Sequence, residues 1–206
     1  MIRMRTRLSK SERRNDILKK ARQIFVDQGL AKTEMEDIRL ACGISRGGLY
    51  HHFSNKRAVL YALVEEEVGV LDDALNEKDS SPILVLLQNG SNHLGGDAGV
   101  LSALQTLEEK LDYLSALEQA FSAVLKDTLF ARLKDFVRED INAEHVAELF
   151  LTVNAHINRR EILGHWSSAH AAGFAATSLE ALAPLLKSPE ALNPILFDLK
   201  QKASSS

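Results

Sequence analysis

Between Ser45 and His51 the chain sets a hydroxyl, a guanidinium, a phenol and an imidazole (Ser45, Arg46, Tyr50, His51) around the pair Gly47-Gly48. Such a mixture offers hydrogen bonding and ion pairing rather than bond making. A guanidinium at Arg46 can fork onto the two acceptors of a guanine edge, a contact worth roughly 1–3 kcal/mol of base discrimination. Half or more of protein–DNA hydrogen bonds go to the backbone instead, and Thr33, Ser45 and Lys56 are the candidates for phosphate. Two adjacent glycines each disfavour a helix by about 1 kcal/mol against alanine, so they call for a reason, and close approach to DNA supplies one. Covalent chemistry finds no comparable grouping. The seven histidines form no His-Glu-x-x-His arrangement, no Cys/His ligand spacing occurs, and no glycine-rich nucleotide loop is present. Glu65 to Glu67 and Glu108-Glu109 read as solvated faces. Neither catalytic residues, nor a metal, nor a cofactor is expected. Cys42, the single cysteine, reads as a small buried hydrophobe, with redox sensing through an intermolecular bridge as the alternative.

The elements that must position these groups are legible around them. Thr33 followed three residues later by Glu36 predicts a capping box that starts a helix, with Ile38 and Ala41 facing inward. Gly43 supplies the left-handed residue that ends it, and Ser45 caps a second helix through its hydroxyl. Helix, tight turn, helix is a DNA-reading unit: the second helix enters the major groove with its N-terminal residues at base edges, and the first lies across the backbone. Leu49 and Phe53, four apart, are the core anchors of the second helix. Ser54 or Asn55 should cap the next helix, which places Lys56 at an anion-favouring N-terminus.

From Arg13 to Leu60 the chain resembles the TetR family of transcriptional regulators. Ile17-Leu18, Ala21, Phe25 and Gly29 carry the resemblance in the first helix and its end. Thr33, Asp37-Ile38, Gly43-Ile44-Ser45, Gly47, Leu49-Tyr50, His52-Phe53, Lys56 and Leu60 continue it in one register. The resemblance implies that Tyr50 clamps a phosphate while His51 sits in the groove. Two positions depart from it: Arg39 and Cys42 stand where the family usually has small alanines. Arg39 puts the close packing of the two helices in question unless its stem lies along the surface with the charge in solvent.

Charge distribution agrees. Residues 1–60 hold 14 Lys+Arg against 6 Asp+Glu, and the remainder 11 against 22, for a net −3. The basic part suits polyphosphate and the acidic part must face away from it. Residues 1–14, with Arg3, Arg5, Arg7, Lys10, Arg13 and Arg14, read as a flexible basic arm. It either reaches into a minor groove or adds sequence-independent attraction. No apolar segment follows its charges, so it is not a signal peptide.

After the head (residues 15–60) every pattern is helical, without strand alternation or a transmembrane run, and an all-α protein is expected. One helix covers Lys56 to about Asn76, and apolar stripes run through Leu101 to Val137, Ala143 to Trp166 and Ala169 to Lys187. By the resemblance, residues 61–200 form a helical effector-binding and dimerisation bundle, followed by a tail at 201–206. The resemblance implies a small-molecule pocket, for which polar residues within apolar stripes are the markers: Asn92, His93, Tyr113, Asn154 and His156. It also implies a homodimer through the last two long helices, to which Leu149, Val153, Ile157, Phe174, Leu179, Leu182 and Leu186 would contribute; burial of that stripe within one chain is the alternative. Together these features describe a cytoplasmic, dimeric repressor released from a palindromic double-stranded DNA operator by an effector of unknown identity. The alternatives are an activator or an effector-independent regulator, and, from another class, a helical-bundle enzyme or small-molecule carrier.

Overall fold

The computed structural model describes residues 9–77, 82, 85 and 99–205. Arg3, Arg5 and Arg7 of the basic arm and the pocket candidates Asn92 and His93 lie outside the described residues. Nine α-helices are formed among the described residues, and no strand beyond an isolated bridge between Val137 and Leu186. Among the described residues, no helix is long and apolar enough to cross a membrane.

The first helix, α1 (Lys10–Gln28), starts earlier than expected. Ser9 caps it: its Oγ accepts from the Glu12 amide at 3.2 Å and the Glu12 carboxylate accepts from the Ser9 amide at 2.7 Å. This capping box makes Lys10, Arg13 and Arg14 helical, not part of a flexible arm. Ile17, Leu18, Ala21 and Phe25 are buried along one side of α1 because they recur at helical spacing. Gly29 ends it at φ 86°, where an added Cβ would come within 3.0 Å of the Gln105 side chain. Helices α2 (Met35–Cys42), α3 (Arg46–Tyr50) and α4 (Lys56–Asn76) follow. Ile38, Leu49, Phe53, Val59, Leu60 and Leu63 add further apolar groups of this region to the buried set.

Two compact units result, Met1–Glu66 with Gly95–Ala116, and Glu67–Leu94 with Leu117–Ser206. The first is larger than the head expected from sequence, because the starts of α4 and of α5 (Leu107–Ala120) belong to it. Polar contacts account for this. Arg57 pairs with Asp112 at 3.0 Å, the Tyr61 hydroxyl donates to Ser115 at 3.0 Å, and the Leu30 amide donates to the Ala103 carbonyl. The leucine stripe expected between Leu101 and Val137 does not run through one helix. Leu107 and Leu111 are exposed, while Tyr113, Ala116, Leu117 and Ala120 form the buried side of α5. A π-helical segment, Phe121–Leu125, separates α5 from α6 (Lys126–Leu133).

In the second unit, α7 (Ala143–Ile162) is capped by Asn142, whose side chain accepts from the Glu144 amide, and α8 (Ser168–Leu182) by Ser167. Helix α8 stops short of Lys187 because Pro184 follows in a short 3-10 turn. A further helix, α9 (Asn193–Ala203), opens with Pro194 in its first turn and packs on α8. The small residues of α8 make that packing close: a Cβ added at Gly173 would lie 3.6 Å from the Ala203 Cβ.

Candidate nucleic-acid interface

Helix α2 begins one residue later than Thr33 and Glu36 suggested. Glu34 is its N-cap residue, and its amide donates to the Asp37 carboxylate at 2.9 Å. Thr33 instead is fully buried, its hydroxyl donating to the Gly29 carbonyl at 2.8 Å. It therefore closes the α1–α2 loop rather than presenting its hydroxyl to a phosphate. Gly43 holds φ 61°, the left-handed conformation, and its amide returns to the end of α2. Ser45 then caps α3, accepting from the Gly48 amide at 3.1 Å.

The result is a short helix with two unlike sides. Leu49 is fully buried, whereas Ser45, Arg46, Gly47, Tyr50 and His51 are exposed in one run. The Arg46 guanidinium lies over the Tyr50 ring at 5.6 Å, which gathers the cation and the phenol at one place. The two glycines differ. A Cβ at Gly47 would meet nothing within 4 Å, while one at Gly48 would come within 3.2 Å of the Ser45 hydroxyl and crowd the cap. Gly48 thus has a reason inside the protein, and Gly47 is open outward.

Lys56 is the main revision. Asn55 caps α4, its side chain accepting from the Ala58 amide at 2.8 Å. The Lys56 ammonium turns back to the α1–α2 loop and donates to the carbonyls of Leu30, Ala31 and Thr33 at 2.7, 3.2 and 2.9 Å. All three of its protons are committed, so it acts as a clamp within the head instead of offering a free charge to a phosphate.

Arg39, which sequence marked only as a departure, is held by three hydrogen bonds to two partners. Its Nε and Nη2 donate to the two Glu36 oxygens at 2.9 and 2.7 Å, and its Nη1 donates to the Ile44 carbonyl at 2.9 Å. This bonding holds the Glu36 carboxyl below its ordinary pKa and raises the guanidinium further. The charge is paired along the surface, so α2 and α3 still meet. The spacing Glu36 to Arg39 was the available signal, being an i, i+3 ion pair. Cys42 is buried, and that burial pushes its thiol pKa up. Burial likewise pushes the His52 imidazole down, assisted by His51, Lys10, Arg13 and Arg14.

Among the remaining candidates, Tyr113 is fully buried in the first unit, and Asn154 and His156 lie on α7 of the second. The His156 ring joins Trp166 and Phe174, at 5.2 and 5.8 Å between centroids. The expected dimer residues divide. Leu149 and Phe174 are exposed, at 50% and 38%, and Val153 and Leu182 are half-buried. Ile157, Leu179 and Leu186 are buried within the chain, Ile157 in a cluster with Ala171 and Ala175 against which Leu199 of α9 packs. For these three the structure shows the alternative, burial within one chain. No group of three or more His, Cys, Asp or Glu able to hold a metal ion occurs among the described residues.

Residues 17–63 match the family of bacterial regulatory proteins, tetR family. Over 151 residues the chain is 30% identical to the HTH-type transcriptional repressor KstR2 of Rhodococcus jostii, covering 66% of this chain and 72% of that protein. Matches to other curated regulators are shorter, spanning 21% and 43% of their lengths. The fold is similar to Salmonella enterica GusR, with a TM-score of 0.56 at 22% identity over 88% of this chain and 100% of that one. It is also similar to CprB of Streptomyces coelicolor, solved in complex with its biological operator sequence, at a TM-score of 0.55 and 19% identity over 91% and 97%. With its helix-turn-helix intact and relatives that are named regulators rather than enzymes, the chain belongs to the TetR family and is a DNA-binding transcriptional regulator.

Proposed function

We propose that two copies of the chain read a palindromic operator through paired α3 helices, repress transcription from it in the cytoplasm, and are released by a small-molecule effector held in the helical unit. The observation that carries this reading is the exposed run Ser45 to His51 on a helix whose other side is anchored by Leu49. In it Arg46 forks onto a guanine edge, Tyr50 and the Ser45 hydroxyl meet phosphates, His51 sits in the groove, and the open Gly47 lets the backbone approach the duplex. Two-fold pairing places the heads at half-sites about one helical turn apart.

The exposed Leu149 and Phe174, with the adjoining His156 and Trp166 rings, support the second unit as the pairing surface. Effector binding there is supported by the π-helical Phe121–Leu125 segment, since such irregularities frequently mark functional sites. It is supported too by the buried Asp72 Oδ1 and Asn158 Nδ2, which have no hydrogen-bond partner among the described residues and suit a polar ligand. Repression follows from the similarity to KstR2, a transcriptional repressor; activation from the same operator is the second reading. Selection of bound sequences from a random duplex pool, with the mass of the complex determined, tests the proposal. An inverted repeat occupied by two protomers supports it, and binding without base preference, or by a single protomer, defeats it.

A further inference from the structure

Helix α3 has five residues, two of them Gly47 and Gly48. So short a segment closes barely one turn, and nucleating a turn is unfavourable even without two poor helix formers in it. Its direction must therefore be imposed from outside. Leu49 supplies an anchor on the buried side, and Ser45 satisfies an amide at the start. What fixes the approach of the chain to that start is Arg39. Two edges of its guanidinium are occupied: the Nε and Nη2 edge by both oxygens of Glu36, and Nη1 by the carbonyl of Ile44, the residue immediately before the cap. The Ile44 amide in turn bonds the Arg39 carbonyl at 3.4 Å, so the two residues are tied through side chain and backbone alike. A guanidinium is planar and its donors diverge at fixed angles. Once Glu36 pins one edge, the position of the Ile44 carbonyl is set, and with it the origin of α3.

We propose that Arg39 is a positioning residue for sequence readout: pinned by Glu36, it fixes the turn carbonyl of Ile44 and so the angle at which α3 presents Arg46 and Tyr50 to the duplex. The inference rests on α3 being the reading helix. Arg39 itself is neutralised by Glu36 and contributes little to the attraction of phosphates. A shallow groove of about 320 Å³ between Glu36, Arg39, Arg46 and Tyr50 places the clasp beside the reading residues.

The test uses the full chain with Arg39→Ala, Arg39→Lys and Glu36→Gln, measured on the duplex selected by the unaltered protein and on a scrambled duplex across a salt series. Arg39→Ala is expected to lose about tenfold or more in affinity for the selected duplex, with base preference flattened across the whole half-site. Affinity for the scrambled duplex and the salt slope should stay unchanged. Arg39→Lys keeps the charge without the fork and should show the same loss. Full rescue by lysine overturns the proposal, as does equal loss on both duplexes with the slope falling by about one unit, which is the mark of a phosphate contact. Loss of preference at a single base pair also overturns it, since that marks a direct base contact. Where Arg39→Ala lacks the helical signal of the folded protein, Glu36→Gln decides: it leaves a neutral acceptor, and a smaller flattening in the same pattern supports the clasp, whereas an unaltered profile overturns it. If the unaltered protein prefers no sequence, the reading role of α3 fails first and the proposal with it.

Discussion

Replacing Lys56 with methionine keeps the aliphatic stem and deletes the ammonium that three carbonyls share. Two of its bonds, to Leu30 and Thr33, are short at 2.7 and 2.9 Å and partly buried; the third, to Ala31 at 3.2 Å, is longer and open to water. A hydrogen bond to a charged group contributes about 1.5–3 kcal/mol net; water replaces the exposed one, and the partial exposure of the other two discounts their sum, so the head should lose about 2–4 kcal/mol. The single tryptophan, Trp166, lies in the second unit and would not report this loss in the first. Hydrogen exchange of the α1–α2 loop reports it directly, through the Leu30 and Thr33 amides, which bond Ala103 and Leu30 carbonyls. At 1.4 kcal/mol per tenfold, their exchange should quicken about 30- to 700-fold. DNA affinity, corrected for the unfolded fraction, should keep the same salt slope. Exchange unchanged within about twofold, together with a slope reduced by about 0.9, would mean that the ammonium serves a phosphate after all and that the clamp does not stabilise the head.

Arg46→Ala should relax base preference at one position of each half-site and leave the others intact, as read by selection on the variant; uniform loss over all sequences would remove Arg46 from the base edges. Gly43→Ala should destabilise the head by about 1–2 kcal/mol in urea unfolding, because φ 61° is left-handed and an alanine Cβ crowds the following carbonyl there. His52, whose imidazole is held below its ordinary 6.5, favours the neutral form when folded. Its contribution is present above that ordinary value and lost as pH falls below it towards the depressed one, so the head should weaken on acidification below 6.5. His52→Gln should make that decline shallower; an equal slope in both proteins refutes the assignment.

The helix-turn-helix was legible because its signals are local. Gly43, Ser45, Leu49 and Phe53 each act within a few residues, and the structure uses all four at the end, start and buried side of α2 and α3. Lys56 and Thr33 were misplaced because their partners come from elsewhere in the fold: three loop carbonyls for one, the end of α1 for the other. A stripe such as Ile157, Leu179 and Leu186 announces burial but not what covers it, and at Ile157 the cover includes α9, a helix beyond the last one that the sequence suggests, which ends at Lys187. Its signals, Pro194 in the first turn and Ile195 and Leu199 four apart, are few, and its stability comes from packing on α8 rather than from propensity. Arg39 was noticed as an oddity, yet its role depends on the Ile44 carbonyl, a backbone group that no side-chain pattern displays.

Ser54, exposed just past the reading helix and outside its contact residues, offers a direct view of where α3 lies. Cys42, the other thiol in a Ser54→Cys variant, is buried with its pKa raised, so an iron chelate attaches selectively at position 54. Cleavage of the selected duplex by this derivative is expected at two clusters related by the dyad of the repeat, each in the major groove of one half-site. Cleavage scattered along the fragment, or confined to its minor grooves, would show that α3 does not lie where a reading helix must.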